Sequence, residues 1–96
     1  MEMLQNSYAG SLESGDVLVQ IRPNAGKGIE LELKSPVERQ FGDQILSVAN
    51  QALLNLGVKD AYVSIDDRGA LDPIIEARVK AAVYRAAKSE DFKWEV

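Results

Sequence analysis

The stretch Ser11-Leu12-Glu13-Ser14-Gly15-Asp16 gathers two hydroxyls, two carboxylates and a glycine just ahead of a strand pattern. A serine hydroxyl in a turn is open to a partner or a modifying enzyme. On the residues alone, Ser14 reads as a solvated turn residue or as a hydroxyl bonded to local backbone. The chain has no Cys and no His. That rules out disulfides, thiolate nucleophiles and Cys/His zinc sites. A Ser-His-Asp triad cannot be built, and the side chain best suited to proton transfer near neutral pH is missing. Such a chain suits a carrier, a binding module or a scaffold better than a self-sufficient enzyme. Any thioester chemistry would need a thiol brought by a cofactor. No catalytic residue and no metal site is assigned.

Three other clusters are weaker. Gly26-Lys27-Gly28 lacks phosphate-loop spacing and precedes a strand rather than a helix, so it reads as a connecting loop. Asp66-Asp67-Arg68-Gly69 offers two oxygen ligands, but it lacks calcium-loop spacing and reads as a turn. Arg78, Lys80, Arg85 and Lys88 make one helix face basic. That face is either solvated, with cations well placed toward a helix C-terminus, or a docking surface for an anionic partner or a cofactor's phosphates.

The elements that must position these groups follow from periodicity. Tyr8–Leu12 has room for a short strand, weakened by Gly10. Val17, Val19 and Ile21 alternate with Leu18, Gln20 and Arg22, and Ile29 to Lys34 alternates again. With the loop at 23–28 between them, these two strands predict an antiparallel hairpin. Ser35-Pro36-Val37-Glu38 predicts a helix start with Ser35 as cap, Pro36 first and Glu38 closing a capping box. The apolar stripe then runs Val37, Phe41, Ile45, Val48, Ala52, Leu53, Leu56, and Gly57 ends the helix in a left-handed cap. Gly42 inside the helix costs about 1 kcal/mol relative to Ala, which suits close packing against the sheet or close approach of a partner. Val58 to Asp66 predicts a third strand. Asp72-Pro73 opens a second helix with a buried stripe of Ile75, Val79, Ala82, Val83 and Ala86. Phe92, Trp94 and Val96 alternate with Lys93 and Glu95, as a final strand or an anchor on another subunit would.

The expected fold is therefore α+β, a two-layer sandwich. An antiparallel sheet of about three to five strands carries two helices on one face. The order is β-β-α-β-α, with room for an edge strand at either terminus. At 96 residues the chain reads as a single domain spanning 1–96. A net charge of −4 disfavours nucleic acid, and no apolar run is long enough for a membrane span. Met1 to Gln5 shows no basic patch or apolar core of a signal peptide, so the cytoplasm is the expected compartment.

Several blocks, in order and over almost the whole chain, resemble the acyl carrier protein (gamma subunit) family of citrate lyase. They are Ala9 to Val17, Gly28 to Leu33, Gln40 to Ile45, Asp66 to Asp72 and Glu76 to Val79. The resemblance implies that Ser14 carries a phosphoribosyl-dephospho-coenzyme A arm through a phosphodiester. The thiol of that arm would hold acetyl and citryl thioesters while citrate is cleaved to acetate and oxaloacetate. The implied partners are the citrate lyase alpha and beta subunits and the prosthetic-group transferase; the carrier itself would be non-catalytic. Where the family often has a second serine this chain has Gly15, which leaves Ser11 as the weaker alternative acceptor. Pro73 is a local departure. The Asp-Ser-Leu tripeptide of four-helix acyl carrier proteins is absent. Two alternatives remain: the carrier subunit of malonate decarboxylase, which uses the same type of arm, and a non-carrier binding or scaffold module.

Overall fold

The computed structural model describes residues 1–87. The elements run β1 (Ser7–Gly10), β2 (Val17–Arg22), β3 (Ile29–Lys34), α1 (Glu38–Asn55), β4 (Ala61–Asp67) and α2 (Asp72–Ala87). The architecture is the expected α+β sandwich of one sheet and two helices, and β1 supplies the N-terminal edge strand. The aromatic stretch Phe92 to Val96 lies outside the described residues.

The sheet order is β1-β2-β4-β3. β2 and β3 therefore do not form the expected hairpin, and the sheet is mixed rather than antiparallel. β4 lies between them, antiparallel to β2 and parallel to β3. Alternation fixes which face a strand buries but not which strand lies beside it. The connection at 23–28 has six residues, which can span about 20 Å, while skipping one strand takes about 10 Å. Helix α1 supplies the crossover that a parallel β3–β4 pair needs. β4 behaves as a central strand: Ala61, Val63 and Ile65 are buried, and Tyr62, Ser64 and Asp66 on its other face are half-buried.

One core forms where the inner face of the sheet meets the helices. Val17, Val19, Ile21, Ala61, Val63 and Ile65 pack with Ile45, Ala49 and Leu53 of α1 and with Ile75, Val79, Ala82, Val83 and Ala86 of α2. The α2 stripe is the one read from periodicity. The α1 stripe is rotated from the expected one. Gly42, Ile45, Ala49 and Leu53 are buried, whereas Phe41 is 52% exposed. Gly42 is what allows this. A Cβ there would lie 3.6 Å from Leu33 Cδ2 and 3.2 Å from Glu38 Cγ, so the glycine brings α1 close to β3.

Both helix starts differ from expectation by small shifts. Helix α1 begins at Glu38, and no side chain caps it. The Ser35 hydroxyl is engaged elsewhere. It donates to Asp67 Oδ2 at 2.8 Å and accepts from the Val37 N–H at 3.1 Å. Helix α2 includes Asp72, whose carboxylate accepts from Gln44 Nε2 at 3.0 Å. At the C-terminus of α1, Gly57 has φ 75°, and the N–H groups of Gly57 and Val58 donate to the carbonyls of Leu54 and Leu53. This is a Schellman cap, as the glycine predicted. No helix among the described residues is long and apolar enough to cross a membrane.

Candidate functional site

The segment from Ser11 to Asp16 joins β1 to β2 at one end of the sheet, and its backbone explains its sequence. The Asp16 N–H donates to the Glu13 carbonyl at 3.0 Å, closing a four-residue turn with Ser14 and Gly15 at its centre. Gly15 has φ 85°, the positive value that the third residue of a type II turn requires. The Gly15 N–H donates to the Arg68 carbonyl at 2.7 Å, and the Arg68 N–H donates to the Asp16 carbonyl at 3.0 Å. Gly15 and Asp16 together therefore oppose the single residue Arg68. That is a β-bulge with its glycine in the left-handed region. A Cβ at Gly15 would meet nothing, so the glycine is required by its dihedral angle and not by space.

The two serines have different surroundings. Ser11 is half-buried, and its hydroxyl donates to Asp16 Oδ2 at 2.8 Å and accepts from the Glu13 N–H at 3.2 Å. Ser14 projects from the turn, is exposed, and its hydroxyl makes no hydrogen bond among the described residues. Of the two, Ser14 is the hydroxyl with both lone pairs and proton uncommitted. An exposed, unbonded hydroxyl with no side chain at the following residue is compatible with a bulky covalent substituent.

Asp16 holds the turn to the rest of the molecule. Arg78 of α2 approaches with Nε at 3.0 Å from Oδ1 and Nη2 at 3.2 Å from Oδ2, a two-point guanidinium–carboxylate pair. The Val17 N–H donates to Oδ1 at 2.7 Å. The Arg78 hydrogen bonds, followed by those from Val17 and Ser11, hold the Asp16 carboxyl down at about 2. The stem of Arg78 runs beside Gly10, where an added Cβ would lie 3.2 Å from Arg78 Cδ and collide with the Val17 carbonyl. Gly10, with φ 93°, thus clears the path for this pair.

This corrects one expectation. Arg78 and Arg85 do not form a free basic face; both reach back to the N-terminal part of the chain, and Lys88 lies outside the described residues. Arg85 Nη1 donates to the Tyr8 carbonyl at 2.7 Å. Neither the role of Arg78 nor that of the Arg68 backbone is visible in the helical or strand period. The only sequence sign is that both fall inside blocks that carry the family resemblance.

The Asp66-Asp67-Arg68-Gly69 cluster is also more structural than its residue types suggest. Asp67 is 1% exposed, accepting from Ser35 Oγ and from the Ala70 N–H at 2.9 Å. It ties the β4–α2 connection, on which the Ser14 turn rests, to the β3–α1 connection. Asp66 pairs with Arg68 Nε at 3.2 Å. Among the described residues no cluster could hold a metal ion. Beside this connection lies a groove of about 580 Å³ lined by Phe41, Leu71 and the N-terminal turns of both helices.

Comparison with known proteins adds an independent line. The acyl carrier family model described as "Malonate decarboxylase delta subunit (MdcD)" matches residues 4–86. The citrate lyase acyl carrier protein of Escherichia fergusonii is 50% identical over 94 residues, covering 98% of this chain and 97% of its own. That of Streptococcus equi subsp. zooepidemicus is 51% identical, covering 98% and 92%. That of Clostridium perfringens is 45% identical, covering 98% and 93%. Among solved structures, a chain of a Pseudomonas malonate decarboxylase hetero-tetramer in complex with malonate superposes with a TM-score of 0.73. It is 15% identical and the match covers 90% of this chain and 92% of that one, a likeness of fold.

Proposed function

The chain belongs to the family of citrate lyase acyl carrier proteins and malonate decarboxylase delta subunits, and from that premise we propose that it is the acyl carrier subunit of a citrate lyase. Ser14 is the attachment point of its prosthetic arm, phosphoribosyl-dephospho-coenzyme A, through a phosphodiester. The observation that carries this assignment is the contrast between the two serines. Ser11 is committed to Asp16 and the Glu13 N–H, whereas Ser14 is exposed and unbonded at the corner of the turn.

The chain's own residues act as a handle. Gly15 sets the turn that projects Ser14 outward, and the Asp16–Arg78 pair ties the base of that turn to α2. When bound, the arm supplies the thiol that a chain without Cys lacks, as the carrier of acetyl and citryl thioesters. The tether raises the local concentration of the acyl group at partner active sites. The alpha and beta subunits of the lyase perform the exchange and the cleavage in the cytoplasm, and the transferase reaches the Ser14 hydroxyl on the exposed turn. The chain itself breaks no bond.

A second reading, the carrier of a malonate decarboxylase, is favoured by the description of the matching family model. Reconstitution separates the two. The arm-loaded chain is added in turn to citrate lyase alpha and beta subunits and to malonate decarboxylase lacking its carrier. Restored citrate cleavage is expected. Restored malonate decarboxylation without citrate cleavage would transfer the assignment to the second reading, and restoration of neither would refute both.

A further inference from the structure

Attaching an arm to Ser14, as the preceding section proposes, places a phosphodiester and its negative charge on the turn. Glu13 is the preceding residue, and Asp16 and Asp66 lie close by through the bulge and its partner strand. A phosphate there is stabilised by a nearby cation, and two arginines adjoin the turn. Arg78 is already engaged. Two of its guanidinium nitrogens hold the Asp16 carboxylate at 3.0 and 3.2 Å, and its stem is packed beside Gly10.

Arg68 is differently placed. Its backbone is bonded to the turn on both sides, through the Gly15 N–H and the Asp16 carbonyl, so it cannot drift away from Ser14. Its side chain is 44% exposed and pairs with Asp66, with Nε 3.2 Å from Oδ1. Both terminal nitrogens lack a hydrogen-bond partner among the described residues. A single exposed ion pair of this kind is worth about 0–1 kcal/mol, so the guanidinium can turn at little cost. Its planar fork of donors matches phosphate oxygens, and charge-assisted bonds of that type are about twice as strong as neutral ones.

We propose that the Arg68 guanidinium binds the phosphate esterified to Ser14 and so orients the root of the arm. The bulge is the device that does this, because it sets one residue, Arg68, against both Gly15 and Asp16. Arg68 is a positioning residue; it takes no part in thioester chemistry.

The test is a cycle of melting temperatures. Wild type, Arg68→Gln and Arg68→Lys are each prepared without and with the arm, and loading is verified by intact mass. Melts are run in low salt and in ~0.5 M salt, where exposed charges are screened within a few ångströms. Loading is expected to raise the melting temperature of wild type relative to Arg68→Gln by up to about 4–8 °C in low salt, the shift that about 1 kcal/mol, the upper range for an exposed ion pair, produces in a domain this size. Arg68→Lys should keep part of the difference, and high salt should shrink it. The phosphodiester ³¹P resonance of the loaded protein should also move between wild type and Arg68→Gln, while the diphosphate resonances of the arm stay in place. Equal loading shifts in wild type and Arg68→Gln, with an unmoved ³¹P resonance, would overturn this inference and leave the Ser14 assignment standing. Wild type that takes no adduct would overturn both.

Discussion

Replacing Asp16 by Asn should loosen the Ser14 turn, with a pH signature that identifies the cause. In the folded protein the Asp16 carboxyl titrates at about 2, against 3.8 for an unperturbed group. Each unit of such a shift corresponds to about 1.4 kcal/mol. The whole displacement therefore bounds the stabilisation at roughly 2.5 kcal/mol. The Arg78 side chain is 41% exposed, so solvent screening reduces that figure, and we expect about 1–2 kcal/mol. Because the folded pKa is depressed, this stability is fully present above the unfolded pKa near 4 and is lost as pH falls through the folded value near 2. Thermal melts of wild type and Asp16→Asn between pH 7 and 2 would read it directly. At pH 7 the variant should melt about 4–16 °C lower, given about 4–8 °C per kcal/mol in a domain of this size. The gap should hold down to about pH 4 and close toward pH 2. A gap that stays constant to pH 2 would show that Asp16 acts by shape and not by charge. No gap at pH 7 would refute the role of the Arg78 pair.

Two further predictions concern the frame around the turn. Gly15→Ala should destabilise the protein by about 1–2 kcal/mol, since a Cβ meets no neighbour there but is disfavoured at positive φ. Urea unfolding would measure it, and a variant as stable as wild type would mean that the turn has another accessible conformation. Asp67→Ala leaves the Ser35 hydroxyl and the Ala70 N–H without their acceptor and should cost about 1–3 kcal/mol by the same assay. A neutral result would remove Asp67 as the tie between the two connections.

Much of the fold was legible because it depends on short-range pattern. The alternation of Val17, Val19 and Ile21, the stripe Ile75, Val79, Ala82, Val83 and Ala86, and the cap at Gly57 are all local signals. The order of strands was not, because the same alternation in β2 and β3 fits a hairpin and fits strands separated by β4. Phe41 reads as a core residue by spacing, yet Gly42 takes the inward position because β3 comes so close. The candidate site was half legible. Ser14 and Ser11 are both turn hydroxyls in sequence, and only the family resemblance ranked them. What separates them physically is the Asp16–Arg78 pair, which joins residues 62 positions apart and captures the Ser11 hydroxyl. No local pattern reports a bond of that reach, and the bulge that sets Gly15 and Asp16 against Arg68 is equally a tertiary fact.

The most direct measurement is the mass of the N-terminal tryptic fragment, residues 1–27 because the Arg22–Pro23 bond resists trypsin, from protein produced together with its prosthetic-group biosynthetic enzymes. This fragment contains Ser7, Ser11 and Ser14. A single adduct with the mass of phosphoribosyl-dephospho-coenzyme A is expected, located on Ser14 by fragmentation, retained in Ser11→Ala and lost in Ser14→Ala. An unmodified fragment from a complex that cleaves citrate, or an adduct that survives Ser14→Ala, would contradict the account.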